Sequence, residues 1–252
     1  MSVEQIREGL WRSGSEQFQA DSQEEAEQIA ANITRIKSER DPAIGMLTNR
    51  IKLREGRFLP TLTDIGDGVE TVGYGHVPEK RPWTPAQLDY LRLNQGRTFE
   101  QEPMTQAEAD AILESDVQFN LNLAKMALPD GVFRQLSPVR RAGLGDLAHV
   151  VGGSISQFTS MAGAIGAAVN NPEFAPELFQ RAGQEISNSR FGRGEAVNGV
   201  QFRGNIRRAN EIGLMMQTDQ LVTIQDQDPI AFTPLFQLPP MGAPGAIGAE
   251  FL

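Results

Sequence analysis

The sequence predicts an α+β fold in which a helix leads into a small antiparallel sheet and then into an all-helical lobe. Three observations predict it. Arg57–Val77 is rich in Thr, Val, Gly and Asp, alternates at Val69-Glu-Thr-Val72, and carries turn signals at Ile65-Gly-Asp-Gly68. From Thr105 onward the apolar spacing turns helical. Thr105-Gln-Ala-Glu108 is a capping box, and Ala109, Ile112, Leu113, Val117 and Leu121 follow on one face. Ahead of the sheet, Ile44, Leu47, Ile51 and Leu53 mark a helix running into Arg54-Glu55-Gly56. Further helices are expected near 138–150, 159–170, 173–188 and 204–216. There is no internal repeat, and segregated strands and helices make the class α+β.

Composition bounds the function. The 252 residues are 40% hydrophobic, enough to bury a core. Cysteine is absent, which removes disulfides, thiolate metal sites and cysteine nucleophiles. His76 and His149 are the two histidines, too few for a multi-histidine metal site. No metal or cofactor is expected. A net charge of −9 lacks the basic footprint of a nucleic-acid binder. The N-terminal MSVEQIREGLW has no apolar core segment, so no secretory signal is expected. The charge-free stretch between Asp146 and Glu173 is broken at Gly152-Gly153 and reads as a buried helix pair, with no stable membrane insertion.

Two flanks differ from the middle. Residues 1–42 read as a helical N-terminal appendage. Ser22-Gln-Glu-Glu25 is a capping box, Ala26, Ile29, Ile33 and Ile36 keep helical spacing, and Asp41-Pro42 ends the helix. Residues 217–252 hold Pro229, Pro234, Pro239, Pro240 and Pro244 in an apolar setting. They read as an extended Pro/Gly-rich C-terminal arm that docks on a partner. The domain proper is then 43–216. Residues 1–45 and 217–252 each carry a net −4, whereas 131–216 is +3. The acidity belongs to the flanks, so it does not argue against an anionic substrate.

The densest run of chemistry-bearing residues is Glu55 to His76. Glu55 sits at a helix end, Asp64 falls nine residues later in the sheet region, and Thr71 and Gly73-Tyr-Gly75-His76 follow. A cleft between a helix end and a small sheet can set two carboxylates on opposite sides of a bound chain, a layout that glycoside hydrolysis needs, though acidic residues on loops are more often solvated surface.

These residues resemble the phage-type lysozymes, glycoside hydrolase family 24. Glu55-Gly-Arg-Phe-Leu-Pro-Thr-Leu-Thr-Asp64 keeps the family's Glu-to-Asp spacing, and Thr71-Val-Gly-Tyr-Gly-His76 looks like its Thr-Ile-Gly-x-Gly-His run. Thr105–Val117, Gln157-Phe-Thr-Ser160, Ser189-Arg-Phe191 and Arg207-Arg208-Ala-Asn-Glu211 resemble later landmarks in the same order, covering about residues 45–216. The turn between Asp64 and Thr71 is one residue longer than the family's. His149-Val150-Val151-Gly152 stands where the family has an aromatic residue and an amide.

The resemblance implies a lysozyme-like two-lobed domain, a muramidase that cleaves the β-1,4 bond between N-acetylmuramic acid and N-acetylglucosamine in peptidoglycan, with inversion. Glu55 is expected as the general acid, with a raised pKa. Asp64 is expected to position water, with Asp67 its rival. Thr71 offers a hydroxyl to that water. Gly73 and Gly75 are expected either to let backbone approach the glycan or to serve as turn glycines. His76 is expected to pair with Asp116 as a structural ion pair rather than act in catalysis. Arg207, or else Arg203 or Arg208, is expected to hold Glu55. Trp11 and Trp83 are expected to pack rather than bind sugar. The flanks favour a virion component, tied to tail or internal proteins through residues 1–42 and 217–252 and acting on the host's periplasmic wall. The alternatives are a free endolysin, held in the host cytoplasm until release, and an assembly protein on a degenerate lysozyme fold.

Overall fold

The computed structural model describes residues 3–7, 10–13, 16–19, 22–28, 30, 41–64, 68–194 and 203–222. It is a mixed α and β structure, mostly helical, with a small two-stranded antiparallel sheet between its first long helix and the helices that follow in the chain. Three short strands come first, β1 (Glu4–Arg7), β2 (Leu10–Ser13) and β3 (Glu16–Gln19). Helix α1 (Pro42–Glu55) leads into β4 (Leu59–Asp64) and β5 (Glu70–Gly73). The rest is helical: α2 (Pro85–Tyr90), α3 (Gln106–Met126), α4 (Val132–Gln135), α5 (Pro138–Val151), α6 (Thr159–Asn170), α7 (Ala175–Ser187) and α8 (Arg203–Thr218). No helix among the described residues is long and apolar enough to cross a membrane.

Local chemistry sets these boundaries. The Asp41 carboxylate accepts from the Ala43 amide and Pro42 fills the first position of α1, where its missing N–H costs nothing. Gly56, at a φ of +58°, ends α1 in the left-handed conformation that glycine adopts freely. Thr105 and Glu108 close a reciprocal capping box at the head of α3, and Thr84 and Gln87 do the same for α2.

Two apolar clusters result. The larger joins α1, α3 and α4–α8 around Leu47, Ile51, Leu144, Leu147, Ile165 and Ile212, all fully buried. The smaller lies under the sheet and gathers Val72, Leu91, Phe99, Met104, Ala109 and Ile112. Helix α3 contributes Ala109 and Ile112 to one and Leu113, Val117 and Leu121 to the other. Tyr74 packs against both.

Two expectations need correction. The first part of the appendage is not helical: β1, β2 and β3 form an antiparallel meander in which Gln5 faces Trp11 and Trp11 faces Phe18. Glu8-Gly9 and Gly14-Ser15 punctuate Ile6, Leu10, Trp11 and Phe18, residue types that favour strands. Helix is present over residues 23–28, behind the Ser22 cap. Residues 31–40 lie outside the described set. The second correction concerns the C-terminal boundary. Helix α8 runs to Thr218, and Met1–Val222 forms one compact unit. Met215 and Met216 are fully buried, Asp219 pairs with Arg140, and the Val222 carbonyl accepts from Arg50, which hold this stretch to the helical body. The rest of the expected arm, 223–252, lies outside the described residues.

Candidate active site

Glu55 is the last residue of α1, and about a third of its side chain (33%) meets solvent. Its two oxygens face different surroundings. Oε1 looks into the helical body, 3.7 Å from His149 Nε2 and 3.9 Å from Arg208 Nη1. Oε2 looks toward the sheet, 3.7 Å from where a Cβ on Gly75 would stand. Gly75 has a φ of +87°, so glycine is favoured there by conformation, and a Cβ would meet Glu55 only at ordinary van der Waals distance.

The sheet turn that meets Glu55 is tight. Val72 and His76 exchange both backbone hydrogen bonds, at 2.9 and 3.0 Å, around Gly73-Tyr74-Gly75. Gly73 also has positive φ and packs against Met104 and Ala109. The Tyr74 hydroxyl accepts from Gln106, and Lys52 lies over its ring. The turn is thereby fixed to α1 on one side and α3 on the other.

Asp64 ends β4 on the exposed side, and its carboxylate accepts from the Gly68 amide at 3.0 Å. It pairs in register with Glu70. Its rival Asp67 lies outside the described residues. Thr71, buried, donates its hydroxyl to the Thr63 carbonyl at 3.3 Å, which leaves the oxygen free to accept. His76 Nδ1 meets Asp116 Oδ2 at 2.9 Å, in contact as expected. Arg81 takes the other oxygen of Asp116 at 2.9 Å, and Trp83 stacks on the His76 ring at 4.0 Å. Burial works against the Asp116 charge, but His76 and Arg81 outweigh it and hold its pKa below the usual carboxylate range. Trp11 belongs to β2 and Trp83 to the sheet-side cluster.

Of the three arginines expected as partners of Glu55, the structure sets Arg208 and not Arg207 beside it. Arg208, one residue beyond Arg207, is the member of the α8 cluster that faces Glu55, while Arg207 reaches Glu211 at 3.4 Å. One residue of shift along a helix turns a side chain by about 100°, so adjacent arginines cannot share a face. Arg203 opens α8.

Behind Glu55 lies a charge network that the sequence did not signal. Asp146 is wholly buried and takes Arg208 at 2.6 Å on Oδ1 and Arg50 at 2.8 Å on Oδ2. Arg54 approaches it at 3.7 Å and also pairs with Glu211, which Arg50 meets at 3.2 Å. Burial opposes the Asp146 charge, yet the three guanidiniums hold its pKa down to about 2. Burial among cations brings Arg54 down to about 10, despite the favourable pull of Asp146.

Glu55 departs from the expected direction. Burial and the nearby Asp146 raise its pKa, but His149 and Arg208 prevail, and the net direction is downward. His149 was legible only as a departure from the family pattern at that position. As one of two histidines, three residues before the Gly152 that caps its helix, it offered no other signal. Comparison with protein-family models and with curated proteins gave no match.

Proposed function

We propose that this chain is a glycoside hydrolase of the phage-lysozyme type, which cleaves the β-1,4 bond between N-acetylmuramic acid and N-acetylglucosamine in peptidoglycan by general acid catalysis, with inversion. The seating of Glu55 carries this reading. A helix-end carboxylate stands at the boundary between a sheet turn and a helical body, with Oε1 held by protein groups and Oε2 turned to a bare glycine backbone. A glycan passing over Gly75 would present its bridging oxygen to Oε2. Asp64 would guide water on the other face, and Thr71 would accept from it. The chemistry requires no metal or cofactor.

The acid must hold a proton when it acts. Arg208 and His149 favour the ionised form in the free protein. A glycan covering the exposed third of Glu55 would exclude water, which favours the protonated form. Residues 1–42 and 223–252 would tie the enzyme to other proteins of a virus particle, from which it would act on the host wall. A free endolysin would need neither flank.

Two observations favour a second reading, an assembly protein on a degenerate lysozyme-type fold. Glu55 is held on the ionised side, and Asp64 is engaged with its own turn. Turbidity clearing of permeabilised Gram-negative cells separates the two. The enzyme reading expects clearing by the wild type and none by Glu55→Gln. Equal clearing by both, or none by either, removes it.

A further inference from the structure

An unbroken run of polar contacts crosses from the sheet to Glu55. His76 Nδ1 meets Asp116 Oδ2 at 2.9 Å, and Asp116 Oδ1 meets Arg81 Nη1 at 2.9 Å. Arg81 Nη2 donates to Asn120 Oδ1 at 3.0 Å. Asn120 Nδ2 meets His149 Nδ1 at 3.1 Å, and His149 Nε2 faces Glu55 Oε1 at 3.7 Å. Asn120 is wholly buried and Asp116 nearly so, which keeps water from replacing these partners.

The donor order in this run is fixed from one end. Arginine has donors and no acceptor. The Asn120 group that faces Arg81 must therefore be its carbonyl oxygen, and its NH2 must face His149. Turning the amide over would set NH2 against guanidinium in a buried site, at the cost of two lost hydrogen bonds. With an amide N–H aimed at it, His149 Nδ1 must accept. A proton on Nδ1 would confront that N–H. The ring proton then stands on Nε2, the nitrogen that faces Glu55.

We propose that the Asp116–Arg81–Asn120 chain fixes His149 as its Nε2–H tautomer, and that His149 is a positioning residue which keeps Glu55 Oε1 an acceptor and leaves the acid proton to Oε2. The role rests on Glu55 being the general acid; the tautomer does not. The titratable and charged groups facing Glu55 are the His149 ring and Asp146 from α5 and Arg208 from α8, and the sheet turn presents the backbone of Gly75. Arg208 gives Nε and Nη2 to Asp146 and turns Nη1 toward Glu55 Oε1 at 3.9 Å, so both donors that face Glu55, Arg208 and His149, meet the same oxygen and leave Oε2 to the acid proton. The His149–Glu55 separation of 3.7 Å exceeds hydrogen-bond length, and an approach of under an ångström would make it one.

The test uses the full chain. Nitrogen NMR of the histidine rings in the wild type reads the tautomer without any substitution. Carboxyl NMR follows the Glu55 titration in the wild type, His149→Gln and His149→Leu. Glutamine offers an acceptor to Asn120 and a donor to Glu55 in the same order as the Nε2–H ring, whereas leucine offers neither. The expected result is a protonated Nε2 and an acceptor Nδ1, a Glu55 midpoint near wild type for His149→Gln, and an upward shift for His149→Leu. A proton on Nδ1, or an unmoved Glu55 midpoint in His149→Leu, overturns the proposal. If both signals come out as expected while the wild type fails to cleave peptidoglycan, the tautomer assignment stands and only the glycosidase reading falls.

Discussion

Asp146 shows what a single residue costs and returns in this protein. A carboxylate with no solvent exposure survives only because Arg50 and Arg208 bond both its oxygens. Asp146→Asn would leave those guanidiniums facing a neutral amide. The expected loss is about 3–5 kcal/mol, read as a lower urea midpoint with unchanged slope. In the sequence Asp146 looked like nothing more than the start of a charge-free stretch. Its partners lie 96 and 62 residues away, and no local pattern reports contacts of that range. Glu55 carries a second prediction. Since Arg208 and His149 keep its pKa below the ordinary glutamate value, kcat/KM should be highest in acid. It should decline as pH rises through a midpoint below that ordinary value, as measured by the rate of cell-wall clearing across pH. A bell centred above neutrality would contradict this.

At the scale of elements, the helices were the legible part. The capping box at Thr105–Glu108 and the helical spacing behind it correspond to α3, and the expected 159–170 helix corresponds to α6. These signals are local, so a single sequence carries them. The N-terminal meander was less legible, because four-residue strands show little periodicity and the capping box at Ser22 is the stronger local signal in that stretch. The packing of α7 on α8 was not legible either. A Cβ on Gly183 would stand 2.4 Å from the Gly213 carbonyl and 2.7 Å from the Gln217 side chain. The backbones touch at these glycines, and only the partner helix reveals why they are needed. Gly183→Ala should therefore destabilise by about 1–3 kcal/mol through overpacking. Gly163→Ala, on α6 with nothing within 4 Å, serves as the control, and thermal melting compares the two.

For the whole molecule, the ion pairs set a pH window. Arg97 and the Thr105 cap bring the Glu108 pKa down to about 2 against burial, and Asp146 also stands at about 2. Both folded pKa values lie below their unfolded ones. Their contribution is complete above about pH 4.5 and is lost as pH falls toward 2. Asp116 acts in the same direction. Unfolding free energy should thus be flat near neutrality and drop steeply below about pH 4, and urea titrations at stepped pH would show it. This stability loss and the acid-side activity of Glu55 bound the working range from opposite directions. The distribution of net charge, −4 in each flank against +3 over residues 131–216, keeps the helical body compatible with an anionic wall. The catalytic reading itself rests on Glu55, and one measurement addresses it directly: chromatographic analysis of the fragments released from purified peptidoglycan by the wild type and by Glu55→Gln. The account predicts disaccharide fragments ending in reducing N-acetylmuramic acid from the wild type, and release reduced by about 10²-fold or more from Glu55→Gln. Equal release by both proteins, or fragments that keep every glycosidic bond intact, would contradict it.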